Sequence, residues 1–205
     1  MITQSAAIDK CPENTNYHNR DGKWADKDNF ASLVSELKEA FEIVDKGWLL
    51  SAAVSAAKFR VDEGYAVAKI ANDLDFINVM TYDLHGDWDN FADHHAPLHK
   101  RQHDGWAFKE LNTAGALSYW ASQGAPRHKL LLGTPFYGRT FTLANPNQNK
   151  PGARSSGPGK GGEFTEEPGT ILKVIGPSLI ERQKMNRHRN MMTFQASWLT
   201  ARSAD

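Results

Sequence analysis

A tyrosine, a carboxylate and a tryptophan follow one apolar stretch of the chain at short intervals. The strand predicted over 75–83 ends on Tyr82 and Asp83, and Trp88 lies five residues beyond Asp83. Polar residues at the end of a strand in a parallel sheet lie at the edge where α/β proteins place their sites. A phenol, a carboxylate and an indole together suit a sugar, which offers hydroxyl groups for hydrogen bonds and a C–H face for stacking.

A second polar pair, Tyr137 and Arg139, ends the strand predicted over 129–139. A helix predicted over 111–123 joins the two strands, which is typical of a right-handed βαβ unit. We therefore expect the four polar residues to lie together at the carboxyl edge of one parallel sheet, on adjacent strands. An arginine at that place would pair with Asp83 and lower the pKa of its carboxyl group.

Each of these residues also has a purely structural interpretation. Asp83 would cap the next turn, Arg139 would lie over the sheet surface, and Trp88 would pack the loop down as a hydrophobic plug. Met80 and Tyr82 share one face of the strand and would both be core residues. The spacing of the residues leaves both interpretations open.

Two further patterns suggest bound groups but lack the required context. The long polar loop over 84–109 holds, besides His85, a group of four histidines, namely His94, His95, His99 and His103. Pro97 interrupts any helix that would bring His95 and His99 to one face, and no cysteine or glutamate completes a zinc pattern. The segment 157–162 has the glycine spacing of a dinucleotide loop, but it contains a proline and follows no strand. We therefore predict no metal ion and no cofactor.

The bulk composition is that of an ordinary soluble globular protein. The chain has 205 residues, of which 40% are hydrophobic and 23% charged, with 24 basic and 24 acidic side chains. A formal net charge of zero argues against nucleic acid or an anionic membrane as the partner. The longest weakly polar run, over 49–57, is far shorter than the ~20 residues of a membrane-spanning helix. The first residues show no signal-peptide pattern.

Helical and extended patterns alternate along the chain. The predicted helices cover 26–44, 62–72 and 111–123, and the predicted strands cover 48–56, 75–83 and 129–139. This alternation is typical of the α/β class with a parallel sheet.

Four blocks of the sequence resemble the glycoside hydrolase family 18 chitinases, especially the arthropod type. They lie at 26–30, 49–56, 75–88 and 132–141, and the resemblance covers residues 20–170. It implies a partial (β/α)8 TIM barrel, strands five to seven, with the start of an α+β insertion. The implied domains are an irregular N-terminal segment over 1–25, a partial TIM-barrel chitinase domain over 26–145, a Gly/Pro-rich loop opening the insertion over 146–170, and a divergent tail over 171–205.

The resemblance also implies a reaction. Family 18 chitinases hydrolyse β-1,4-linked N-acetylglucosamine polymers by substrate-assisted catalysis, in which a glutamic acid protonates the glycosidic oxygen and the substrate's N-acetyl carbonyl attacks the anomeric carbon. The residues implied to bind substrate are Met80, Tyr82, Asp83, Trp88, Tyr137 and Arg139. Of these, Met80, Tyr82 and Asp83 would line the −1 sugar site, and Trp88 would be a platform on the +1 side. The implied partners are chitin or N-acetylglucosamine oligosaccharides, and the implied location is extracellular.

The sequence departs from the family at the residue that matters most for the reaction. The motif Asp-x-x-Asp-x-Asp-Trp-Glu, which holds the family's acid, does not occur, and strands one to four have no counterpart. We therefore assign no catalytic residue and leave open whether the chain is an enzyme. The interpretation is a truncated chitinase domain that is inactive alone. The alternatives are a chitinase-like lectin without hydrolysis and a nonfunctional fragment.

Two expectations concern the rest of the chain. A piece of a barrel exposes parallel sheet edges, which predict self-association or marginal stability unless the tail covers them. Basic residues crowd the tail and Gly176-Pro177 interrupts its apolar run. We therefore predict that 175–205 is poorly ordered or forms an isolated helix that does not complete the sheet.

Overall fold

The computed structural model describes residues 2–3, 25–102, 104–105, 108–172 and 190–193, of which 2–3 and 190–193 are described by their backbone. The chain divides into two compact units. The first unit contains Met1–Thr81 and Leu98–Thr134, and the second unit contains Tyr82–Pro97 and Pro135–Asp205. Each unit is built on its own sheet, with strands and helices numbered along the whole chain.

The first unit is built on a parallel sheet of four strands. These are β1 (Ile2–Thr3), β2 (Ser51–Ser55), β3 (Phe76–Met80) and β5 (Leu130–Leu132), in the order β1-β2-β3-β5. In the centre of the sheet Val54 pairs with Val79, and Val79 pairs with Leu132. The first four residues of β2 are all buried, as expected for a parallel strand covered on both faces. The α/β class is therefore as predicted.

Four helices belong to the first unit. They are α1 (Asp26–Val44), α2 (Lys58–Gly64), α3 (Val67–Asp73) and α4 (Thr113–Ser122). Trp120 of α4 is fully buried, and its indole N–H donates to the Ser55 carbonyl at 2.9 Å. The side chain of Asn112 caps α4 by accepting the Gly115 amide at 2.8 Å. None of the described helices is long and apolar enough to cross a membrane.

The helix predicted over 62–72 is wrong in its extent, because two helices occupy this region. Tyr65 ends α2 in an extended conformation, with φ −132, although its amide still bonds the Val61 carbonyl. Its ring is buried, with its centre 6.1 Å from the Phe30 ring and 5.3 Å from the Trp120 ring. The apolar area buried by this aromatic side chain outweighs the helical bonds that are lost.

The strand predicted over 129–139 is also wrong, because it consists of two strands in different units. β5 ends at Leu132, where the Gly133 amide bonds the Val79 carbonyl. Pro135 follows and has no N–H to continue a ladder. The next strand, β6 (Tyr137–Leu143), is part of an antiparallel sheet. Tyr137 and Arg139 therefore do not end a strand of the parallel sheet.

The second unit is built on this antiparallel sheet. It contains β4 (Phe91–Ala92), β6, β7 (Ala153–Pro158), β8 (Thr170–Leu172) and β9 (Asn190–Thr193). The strand order is β4-β7-β6-β8, and β9 also pairs with β6. Ala92, Phe141 and Leu143 form its buried apolar cluster. The region 146–170 was predicted to be a loop, yet it contains all of β7 and the first residue of β8.

Both ends of the chain differ from prediction where they are described. β1 pairs parallel with β2, although an irregular segment was predicted over 1–25. β9 pairs antiparallel with β6, with Met192 opposite Thr140, so these four residues extend a sheet against our prediction for the tail. The backbone N–H and C=O groups of these residues find partners in β6, so the strand forms although its sequence has no apolar pattern. The other residues of 4–24 and 175–205 lie outside the described part of the chain.

Candidate functional site

Asp83 lies where the second unit begins, in a segment that folds back on itself. Its φ is 55, a left-handed conformation that is uncommon for a residue other than glycine and is best tolerated by Asn and Asp. The amide of the next residue, Leu84, donates to the His95 carbonyl at 2.8 Å. This turn brings Asp83 and His95 together although twelve positions separate them.

Arg139 of β6 binds the carboxylate of Asp83. Its Nε and Nη2 donate to the same oxygen, Oδ1, at 2.8 and 2.7 Å. Its third nitrogen, Nη1, donates to Thr170 Oγ1 at 2.9 Å, and Thr170 lies opposite Arg139 in the pairing of β6 with β8. The side chains of Arg139 and Asp83 are 17% and 34% exposed. The guanidinium group is therefore held at three points, and the carboxylate still reaches solvent.

The Tyr137 phenol lies near the Asp83 carboxylate, and the two groups affect each other's titration. Burial alone would raise the pKa of Asp83, but its polar surroundings, including the guanidinium group of Arg139, outweigh burial and lower that pKa. Burial and the neighbouring carboxylate raise the pKa of the Tyr137 phenol well above its usual value. The carboxylate is therefore an acceptor and the phenol a donor at neutral pH.

Tyr82 packs against Tyr137 edge to face, with the ring centres 6.2 Å apart and the planes at 81°. Its side chain is half-buried. Among the residues that the structure describes, the Tyr82 hydroxyl has no hydrogen-bond partner. A phenol in this condition is able to bond a polar group of a ligand beside the carboxylate.

Trp88 keeps an exposed face and is not a fully buried plug. It is 41% exposed, and its ring lies so close to Gly86 that a Cβ at that position would come within 2.3 Å of the indole. The Arg139 guanidinium lies 5.5 Å from the ring centre, in the range of a cation–π contact. Gly86 and Arg139 therefore fix the position of the indole.

His95 is a component of this site that the sequence did not reveal. The ring is buried, its Nδ1 accepts the Asp83 amide at 3.3 Å, and its Nε2 lies 3.2 Å from the Tyr137 carbonyl oxygen. In the sequence His95 was considered only as a metal ligand, and no local pattern links it to Tyr137, which is 42 positions away. Among the described residues, no three His, Cys, Asp or Glu side chains are grouped to hold a metal ion.

Tyr82, Asp83, Tyr137 and Arg139 lie close together. The prediction that they share the carboxyl edge of one parallel sheet on adjacent strands is wrong, because Tyr137 and Arg139 belong to the antiparallel strand β6. Trp88 joins them through Arg139, and Thr170 is a further member that the sequence did not indicate. Met80 is the last residue of β3 in the first unit, and its contact with a sugar stays a prediction.

Comparison with known proteins places the chain in a family. The sequence model of the family described as "Glycosyl hydrolases family 18" matches residues 10–199. An endochitinase of Manduca sexta is 52% identical over 130 residues, and the match covers 63% of this chain and 24% of that protein. Both findings agree with the resemblance seen in the sequence blocks.

Two solved structures are similar in fold as well as in sequence. A Group IV chitinase of Ostrinia furnacalis, solved in complex with allosamidin, is 39% identical with a TM-score of 0.70, covering 75% of this chain and 41% of its own. Human YKL-39, described as a pseudo-chitinase with retained chitooligosaccharide binding, is 38% identical with a TM-score of 0.67, covering 72% and 43%. The chain spans less than half the length of each of these relatives. The predicted partial barrel fold is confirmed, and the chain belongs to glycoside hydrolase family 18.

Proposed function

We propose that this chain is the substrate-positioning part of a chitinase domain and binds β-1,4-linked N-acetylglucosamine oligosaccharides. The observation that carries the proposal is the Asp83 carboxylate, whose pKa is lowered and which is fixed by Arg139 and still open to solvent. A sugar that carries an acetamido group offers an N–H donor and a carbonyl acceptor side by side. An anionic carboxylate next to a free phenol is complementary to that pair.

The roles of the aromatic residues follow from the same geometry. The Tyr82 hydroxyl would donate to the acetamido carbonyl oxygen, while Asp83 accepts from the acetamido N–H. The exposed indole face of Trp88 would stack on the C–H face of a neighbouring sugar. Such contacts would orient the acetamido oxygen toward the anomeric carbon, which is what substrate-assisted hydrolysis requires.

The chain alone should bind without hydrolysing. Its sequence lacks the family's acidic motif, so a departing sugar oxygen would leave without a proton donor. General acid catalysis typically contributes about 10²–10⁴-fold to such a step. Two relatives support this proposal. The Ostrinia furnacalis enzyme was solved with allosamidin, and YKL-39 is described as a pseudo-chitinase that retains chitooligosaccharide binding.

Calorimetry with chitotetraose and a fluorogenic chitobioside assay test the proposal on the full 205-residue chain. We expect measurable binding, no turnover, and loss of binding in Asp83→Ala. The matched control is Asp62→Ala, which removes an exposed aspartate of the first unit and should leave binding unchanged. Turnover that Asp83→Ala abolishes would refute the inactive assignment, and binding that survives Asp83→Ala would refute the assigned site.

A further inference from the structure

The imidazole of His95 connects the main chain at Asp83 to the main chain at Tyr137. Its Nδ1 accepts the Asp83 amide at 3.3 Å, and its Nε2 lies 3.2 Å from the Tyr137 carbonyl oxygen. A ring nitrogen that accepts from an amide carries no hydrogen, whereas one that bonds a carbonyl oxygen must carry one. Both bonds together therefore require the neutral imidazole with its hydrogen on Nε2.

The conformation of Asp83 explains why such an anchor is useful. Its left-handed backbone, with φ 55, is sparsely populated for a non-glycine residue and persists when its surroundings fix it. The carboxylate is joined to this backbone through only two rotatable bonds. A hydrogen bond that holds the Asp83 amide therefore also restricts the position and the orientation of the carboxylate.

The His95 ring itself has little freedom to move. It is buried, and its centre lies 5.1 Å from the Tyr137 ring centre with an angle of 36° between the planes. Tyr137 therefore contacts the imidazole both through its ring and through its carbonyl oxygen. An acceptor held in this way is oriented before any ligand arrives, which is the requirement for a positioning residue.

We propose that His95 positions Asp83 for sugar binding and does so only as the neutral imidazole. The proposal rests on the function proposed above, because it assigns a supporting residue to the same site. His95 is a positioning residue and not a sugar contact, since its two ring nitrogens are engaged by protein main chain.

Protonation would break this arrangement. A hydrogen on Nδ1 would face the Asp83 N–H as a second donor, so the amide would lose its acceptor. Titratable groups that face the ring include the Asp83 carboxylate, with Oδ1 3.5 Å from Nδ1, and the Tyr137 side chain, with its ring centre 5.1 Å away. Arg139 already donates twice to that Oδ1, so a protonated imidazole would compete with it. Sugar affinity should therefore fall as His95 takes up a proton.

The first test needs no sugar, so its outcome is independent of the proposed function. Long-range proton–nitrogen NMR spectra of the labelled full chain report the tautomer of each histidine, with His95→Asn to assign the His95 signals. We expect the Nε2–H tautomer for the neutral ring, and a shift of the Asp83 amide signal that follows the His95 signals over whatever pH range the spectra show the ring to change charge. An Nδ1–H tautomer at high pH, or an Asp83 amide that ignores His95, would overturn the proposal.

The second test uses two variants that separate the two hydrogen bonds. His95→Asn places an amide oxygen near the position of Nδ1, where it accepts the Asp83 amide and cannot titrate. His95→Gln reaches toward the Tyr137 carbonyl but leaves the Asp83 amide without its acceptor. The readout is chitotetraose affinity by calorimetry across the same pH range, with the unfolding midpoint of each variant as a control for folding.

We expect the wild-type affinity to be about tenfold lower when the spectra show His95 protonated than when they show it neutral, and His95→Asn to keep a high affinity throughout. His95→Gln should bind about tenfold more weakly at every pH, the size expected for one lost buried hydrogen bond. If both variants lose stability equally while their affinities and pH profiles match the wild type, His95 has only a structural role and the proposal is wrong.

Discussion

Each unit of this protein contains an aspartate that binds one cation and lies beside a tyrosine hydroxyl. In the first unit Asp62 bonds Lys58 Nζ at 2.5 Å and the Tyr119 hydroxyl. In the second unit Asp83 bonds Arg139, and the Tyr137 phenol lies near it. The residue types are nearly the same, but the side chains of Lys58 and Asp62 are 48% and 41% exposed, against 17% and 34% for Arg139 and Asp83.

The difference lies in how each group of three is supported. Lys58 and Asp62 are four positions apart in a helical turn, and such exposed pairs contribute little because water and salt screen them. Arg139 and Asp83 are 56 positions apart and lie beside a buried histidine and a strand threonine. Nearly the same residue types therefore form an exposed ion pair in a helical turn and a preorganised group between distant segments of the chain.

The largest expected difference between the two groups is in unfolding free energy. Asp83→Ala removes the acceptor of two guanidinium N–H groups and places alanine in a left-handed conformation, so we expect a loss of ~2–4 kcal/mol. Asp62→Ala removes an exposed pair and should cost under ~1 kcal/mol. Urea unfolding followed by circular dichroism measures both.

Asp83→Asn separates the loss of the charged acceptor from the strain of the left-handed backbone. Asparagine tolerates that backbone conformation and keeps one acceptor oxygen. It should retain more than half of the stability that Asp83→Ala loses. Equal losses at positions 62 and 83 would contradict the comparison.

A smaller effect is expected in the pH and salt dependence of stability. The pKa of Asp83 lies below the usual 3.8, so its stabilising contribution is present above that pH and disappears as the pH falls through the lower, folded value. The difference between the unfolding midpoints of the wild type and Asp83→Asn should therefore become smaller as the pH is lowered. The pKa of Asp62 is lowered as well, so pH alone does not distinguish the two carboxylates.

Salt should distinguish them. Raising the ionic strength from about 0.1 M to about 1 M shortens the screening length from ~10 to ~3 Å, which removes most of an exposed interaction. The stability difference between wild type and Asp62→Asn should therefore vanish in high salt, while that for Asp83→Asn persists. Equal sensitivity to salt would show that Asp83 is no better shielded than Asp62.

The smallest effect is spectroscopic and concerns the two tyrosines. The pKa of Tyr137 is raised from its usual 10.0 by burial and by Asp83, so the stability it contributes is lost only as the pH rises through the higher, folded value. The pKa of Tyr119 is raised too, but its phenol lies among exposed partners. In an alkaline titration followed by ultraviolet absorbance, some tyrosines ionise reversibly at a pH below that at which the protein unfolds. Tyr119→Phe should lower the number in this reversible phase by one.

Tyr137→Phe should leave that reversible phase unchanged, because Tyr137 ionises only when the protein unfolds. The number of tyrosines that titrate before the unfolding transition is the measurement. A Tyr137→Phe variant that lowers this number by one would show that the phenol is open to solvent, against the described geometry.

Local patterns in the sequence predicted the parallel part of the fold well. The helical spacing of apolar residues predicts α1, and the apolar runs predict β2 and β3, because neighbouring residues alone determine which face of an element is buried. The helix predicted over 62–72 was wrong because a contact between residues distant in the sequence outweighed the local helical pattern. Tyr65 interrupts a helix to reach Phe30 and Trp120.

The antiparallel sheet was harder to foresee. β7 has the sequence Ala-Arg-Ser-Ser-Gly-Pro, whose intrinsic strand preference is low, so its pairing with β4 and β6 makes it a strand. Pro135 was the one local sign that the strand predicted over 129–139 would break. Its missing N–H explains the break, but it does not say which sheet the next strand joins.

The chemical groups of the candidate site can be read from the sequence: a carboxylate, two phenols, a guanidinium group and an indole, together with the strand that leads to the first of them. Their partners depend on the tertiary fold. Arg139 bonds Asp83 across 56 positions and Thr170 across 31, and the two ring nitrogens of His95 bond Asp83 across 12 positions and Tyr137 across 42. The physical reason is that local propensity acts over a few neighbouring residues, whereas strand pairing and burial bring distant residues into contact.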